Sequence, residues 1–129
     1  GIWAASRSGL VQIRNDGIVN VMTKRDGLGD NNVVTLYRDS QGVLWFGTID
    51  GGLHVLREHR IFAVTTQHGL PSDSVLHIEE DQQRQLWVSS DMGLFAVAKA
   101  QLLEVFEGTR ERVDSTVFGI DDGMLSLQG

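Results

Sequence analysis

The chain repeats itself every 42 residues, and that interval limits the folds open to it. Trp3, Trp45 and Trp87 stand 42 apart, Gly27-Leu28 returns as Gly69-Leu70, and Asp39 returns as Asp81. The stretch DGLGDNNVVTLYRDSQGVLWFGTIDGGLHVL from Asp26 lies over HGLPSDSVLHIEEDQQRQLWVSSDMGLFAV from His68, while Ile2 to Leu10 keeps only the second half of the unit. A period of about 40–45 residues belongs to four-stranded propeller blades and also to some helical arrays.

Strand chemistry separates the two. Val33-Val34-Thr35-Leu36-Tyr37, Leu44-Trp45-Phe46-Gly47-Thr48, Leu53-His54-Val55-Leu56 and Ile61-Phe62-Ala63-Val64 are short β-branched or apolar runs between Asp, Ser and Gly turns. The unit from His68 repeats the first three as Val75 to Ile78, Leu86 to Ser90 and Leu94 to Val97, and Ile18 to Met22 closes the unit before them. A helical array needs roughly ten or more residues of 3.6-residue periodicity between breakers, and these runs are too short. Fifteen glycines and one proline fit a chain of many tight turns.

The third unit departs from the pattern. Ala98 to Gly108 is built from helix formers, with Leu102, Leu103 and Phe106 on one face and Gly108 where a C-terminal cap belongs. A short helix over about 99–107 is therefore expected before the last strand at Val117 to Ile120. The next pair like Gly-Leu is Gly123-Met124, 54 residues after Gly69. The expected fold is all-β: a β-propeller fragment of about three four-stranded antiparallel blades, with a short helix inserted in the last. The expected boundaries are an incomplete blade over 1–25, blades over 26–67 and 68–122, and the start of another over 123–129. Propellers close with about four to eight blades. The expected partners are therefore the remaining blades of a parent chain, or other copies pairing through open blade edges.

Composition narrows the function classes. Eleven basic residues against 17 acidic ones give a formal charge of −6. That argues against a nucleic-acid backbone and against direct contact with an anionic membrane. No cysteine is present, so neither disulfides nor thiolate metal sites exist. No apolar run approaches the roughly 18 residues of a membrane span. The chain starts Gly1-Ile2-Trp3, without a signal peptide, and reads as an excised or processed segment.

Gly69-Leu70-Pro71-Ser72-Asp73-Ser74-Val75, Asp39-Ser40-Gln41-Gly42-Val43-Leu44-Trp45-Phe46-Gly47-Thr48 and Gly51-Gly52-Leu53 together resemble the repeats of the two-component regulator propeller family. The segment through Phe118 to Met124 is similar to the late blade of such sensors. The resemblance implies a non-catalytic, signal-sensing part of a membrane-bound bacterial receptor, periplasmic or extracellular, with a histidine kinase or diguanylate cyclase as output. Departures are Arg84 at the position of Gly42, Ser89 at that of Gly47 and Ala5 at the same position in the first copy. Arg84 implies a β-turn unlike the glycine-dependent one.

Residues that recur are expected to be structural: Trp3, Trp45 and Trp87 as packing between blades, Gly27 and Gly69 as turn residues, Asp39 and Asp81 as caps of tight turns. His54, His59, His68 and His77 fall at different phases and form no ligand spacing, so they are expected to be surface or partly buried histidines. The oxygen-rich loop Asp26 to Asn32 lacks the order of an EF-hand, and neither a metal nor another cofactor is expected. Adjacent Glu79-Glu80 and Asp121-Asp122 would point to opposite faces of a strand and make no glycosidase pair. The ligand candidates are the loops sharing one face of the propeller: Asn31, Asn32, Asp73 and Ser74 before the innermost strands, and Arg7, Asp50 and Asp91 between second and third strands. Convergent polar groups from several blades would suit an unidentified small molecule or glycan. The rival readings are a propeller lyase of the streptogramin-inactivating type, which would want a histidine base and a metal, and a plain protein-interaction scaffold.

Overall fold

Both later units open with the same short 3-10 turn, and their sequences show why. The Asp26 carboxylate accepts from Thr23 N at 2.9 Å while Thr23 Oγ1 accepts from Arg25 N, a reciprocal cap around Lys24–Asp26. Thr65 and His68 repeat it around Thr66–His68, with an imidazole in place of the carboxylate. Each turn ends on a left-handed glycine, Gly27 or Gly69, followed by a buried leucine, Leu28 or Leu70. The recurring Gly-Leu pair is thus a cap followed by an anchor.

The computed structural model describes residues 2–15, 17–121 and 124–128. Strands β1 (Ile2–Ser6), β2 (Gly9–Arg14) and β3 (Gly17–Met22) form a first antiparallel sheet. Strands β4 (Val33–Arg38), β5 (Leu44–Thr48), β6 (Leu53–Arg57) and β7 (Arg60–Val64) form the second. The third holds β8 (Val75–Glu80), β9 (Gln85–Ser90), β10 (Gly93–Ala98), β11 (Ser115–Asp121) and β12 (Met124–Gln128), with helix α1 (Lys99–Glu107) between β10 and β11. Each sheet is a meander in chain order, as the repeat predicts, and α1 ends on Gly108 at φ 84°.

Two local expectations are corrected. The repeat spacing predicts the start of another blade over residues 123–129. Met124–Gln128 instead pairs antiparallel along β11, from Asp121↔Met124 to Val117↔Gln128, and becomes the fifth strand of the third sheet. The free edge of β11 offers unpaired backbone groups, and this segment satisfies them. Asp122 and Gly123 lie outside the described residues. Arg84, second, does not force a different turn: it takes φ 60° where Gly42 takes φ 83°, and Arg84 N donates to Asp81 O as Gly42 N does to Asp39 O. Asp81 Oδ1 accepts from Gln83 N and Gln85 N, just as Asp39 Oδ1 accepts from Gln41 N and Val43 N. Those aspartate bonds hold the turn without a glycine.

Between the sheets lie two cores. β8 packs across β4 and β5. There Trp45, Leu53, Val55 and Val64 meet Val75, Ile78, Val88 and Phe95, with Leu102, Val105 and Phe106 of α1 closing the outer side. Burying each such side chain stabilises by about 1.5–3 kcal/mol. Gly47 is required at this contact, because a Cβ there would collide with Val75. A smaller core of Leu10, Leu28, Val33, Leu44, Phe46 and Leu56 joins the first sheet to the second, with Trp3 and Met22 packed at its margin.

Candidate functional site

The loops leading into β4 and β8 and the turns β5–β6 and β9–β10 lie at one end of the strands. Two residues not singled out from the sequence organise them. Asp30 Oδ1 accepts from Asn32 N at 3.2 Å and Oδ2 from Asp50 N at 3.1 Å. Ser72, 42 residues on, accepts from Ser74 N at 3.0 Å and donates to Asp91 Oδ1. Gly52 N donates to Asp73 O at 2.8 Å and carries the connection from the second sheet to the third. Asn31, Asn32, Asp50, Asp73, Ser74 and Asp91 are thereby brought into one band.

Much of that band's capacity is used locally. Asn31 Oδ1 accepts from Lys24 N at 2.8 Å, and Asp73 accepts from Thr66 N at 2.7 Å and from Thr66 Oγ1 at 3.2 Å. These contacts recur at the 42-residue interval and are structural roles that the one-letter mismatch of Asn and Asp concealed. Arg7 stands exposed in the β1–β2 turn. None of the seven candidates lines the principal cavities among the described residues.

His54 lies beneath the band and overturns its expected exposure. Its side chain is fully buried, stacked on Phe46 at 4.7 Å between ring centroids. Nε2 accepts from Gly29 N at 2.9 Å, so Nδ1 carries the proton and faces Gly52 O at 3.2 Å. Burial drives its pKa down to about 4, so the ring is neutral and ties one loop of the band to the neighbouring turn. The available signal was its phase, since His54 occupies the position of buried Phe95 in the next unit.

At the opposite end of the strands a buried ionic cluster joins the second and third sheets. Lys99 Nζ lies 3.0 Å from Asp39 Oδ2 and 2.7 Å from Glu80 Oε2, with Lys99 only 2% exposed. Trp45 Nε1 donates to the same Asp39 oxygen at 2.9 Å, and Tyr37 Oη donates to Glu80 at 3.1 Å. Burial alone would raise the Asp39 carboxyl, but donation by Trp45 and Lys99 holds it below the ordinary range. Burial would likewise lower Lys99, and its two carboxylates raise it instead. Trp87 Nε1 repeats the indole bond to Asp81 at 2.7 Å. Glu79, on the other face of β8, meets exposed His77, so the Glu79-Glu80 pair diverges as expected. No group of three or more acidic or imidazole side chains among the described residues is arranged to hold a metal.

Residues 27–50 and 69–92 match the family model of the two component regulator propeller. Both matched segments fall on the 42-residue units that open with Gly27 and Gly69. Each matched repeat runs from the capping glycine through the Asp–Trp turn to the β5–β6 or β9–β10 turn. The arrangement of the repeats is similar to the extracellular domain of a protein assigned as a hybrid two-component system of B. thetaiotaomicron, with a TM-score of 0.61. That likeness covers 73% of this chain at 20% identity, and the shared property is the fold. The chain spans 14% of that structure's length. None of the curated proteins compared with the chain matches it.

Proposed function

We propose that these propeller repeats are a signal-sensing segment of a membrane-bound bacterial receptor, recognising a ligand or protein without turning it over. The observation that carries this reading is the band itself: polar loop residues of two sheets bonded across Gly52 and Asp73 at one end of the strands. The family match and the extracellular domain to which the fold is similar support it. The mechanism is a shift of population, in which a ligand favours one arrangement of neighbouring sheets and so biases a distal output module. The remaining blades of the parent chain would complete the propeller. Open edges, where Ile2 and Ile18 are well exposed, offer a second route by self-association. No helix among the described residues is long and apolar enough to cross a membrane, so the anchor would lie in another part of the receptor.

Asp50→Ala combined with Asp91→Ala in the intact receptor tests the reading, because both carboxylates sit at the exposed rim of the band. Loss of signal-dependent output, with the receptor still folded and inserted, is the expected result. An unchanged dose–response would remove the band from recognition.

A further inference from the structure

The strand pairing places Trp45, Val55 and Phe62 in one row across the second sheet, and Trp3, Gln12 and Asn20 in the corresponding row across the first. The first of these rows is apolar and covered. Phe106 of α1 meets Phe62 edge to face at 6.5 Å, and Leu102 and Val105 fill the space beside it. The row of the first sheet carries two carboxamides and opens on a cavity of about 300 Å³. Among the described residues nothing equivalent to α1 closes that cavity, because β6 returns to β7 through Glu58-His59 alone.

The turn is itself unusual. Glu58 and His59 both take left-handed conformations, at φ 52° and 67°, where such two-residue turns favour Asn-Gly. Strain of this kind, held in two consecutive side-chain-bearing residues, clusters at functional positions. Both residues line the cavity. So do Arg14 and Arg38, which form no ion pair among the described residues even though the chain has six more acidic than basic side chains. Trp3, Met22, Leu44 and Leu56 supply an apolar wall. Two arginines, the Glu58 carboxylate, two carboxamides and an indole in one recess form an amphiphilic, net cationic site of the size small ligands occupy.

We infer that this cavity binds a small aromatic carboxylate. Arg14 and Arg38 take the carboxylate through charge-assisted hydrogen bonds, the ring lies against Trp3 and its apolar neighbours, and Gln12 and Asn20 serve polar substituents. The site stands at the opposite end of the strands from the loop band and does not depend on it.

Calorimetric titration of the chain with benzoate and 1-naphthoate tests the inference, with benzamide and inorganic phosphate as the neutral and ringless probes. One-to-one binding of a carboxylate, about tenfold or more tighter than benzamide or phosphate, is expected. Arg38→Gln, an exposed position, should weaken it about tenfold with an unchanged circular dichroism spectrum. Gln12→Val with Asn20→Phe, which rebuilds the apolar row of the second sheet, should abolish binding. Failure of both carboxylates to bind would overturn the site, as would binding that survives Arg38→Gln and the row exchange. Phosphate or benzamide binding as tightly as 1-naphthoate would overturn the assignment of an aromatic carboxylate.

Discussion

The joint between the second and third sheets and the joint between the first and second use the same row of a repeated sheet in different ways. In the former, Lys99 bridges Asp39 and Glu80, and α1 covers Val55 and Phe62. In the latter, Gln12 and Asn20 take those two positions and a cavity remains. The strands that meet at the two joints follow one repeat, whereas the connections leaving β6 and β10 differ. A nine-residue helix closes one joint, and a two-residue turn leaves the other open. Closure of these two joints therefore differs with the connection that follows β6 or β10.

Breaking the closed joint should have the largest effect. Lys99→Met leaves Asp39 and Glu80 buried without their cation, and urea unfolding should show a loss of about 3–5 kcal/mol. Leu102→Ala, which opens a cavity under α1 without touching the charges, should lose roughly 3 kcal/mol by the same measurement.

His54 adds a pH dependence to the loop end. Its folded pKa of about 4 lies below the ordinary histidine value of 6.5. Above pH 6.5 both states are neutral and stability is complete; as pH falls toward 4 only the unfolded state takes up the proton. About 3 kcal/mol should be lost across that window, and His54→Phe should flatten the slope. Asp39 and Asp81, both shifted downward, lose their contribution only at lower pH, so the two phases should be separable in unfolding curves taken at stepped pH. The smallest effect belongs to Arg84→Gly, which relieves a left-handed arginine and should raise stability by up to about 1 kcal/mol, measurable as a small rise in Tm.

Spacing alone makes the meander of short strands readable, because Trp, Gly-Leu and Asp mark capping and packing positions that every sheet needs. The helix is equally plain, since Gly108 and the run before it obey local rules. Lys99 is not: its partners Asp39 and Glu80 are distant in sequence, and a lysine at a helix start looks like a solvated one. Arg84 misleads because a missing glycine implies a changed turn, while the Asp81 side chain carries the same backbone bonds. The loop candidates do come together in space, yet Asp30 and Ser72, which bind them, differ in letter and so escape a comparison of repeats.

Native-state hydrogen exchange tests the contrast between the joints most directly. Amides of β5, β6, β9 and β10 around Trp45, Val55, Val88 and Phe95 should exchange only by global unfolding, while those of β1, β2 and β3 should exchange through smaller openings at the hollow joint. Equal protection of the first sheet and the other two would contradict the account.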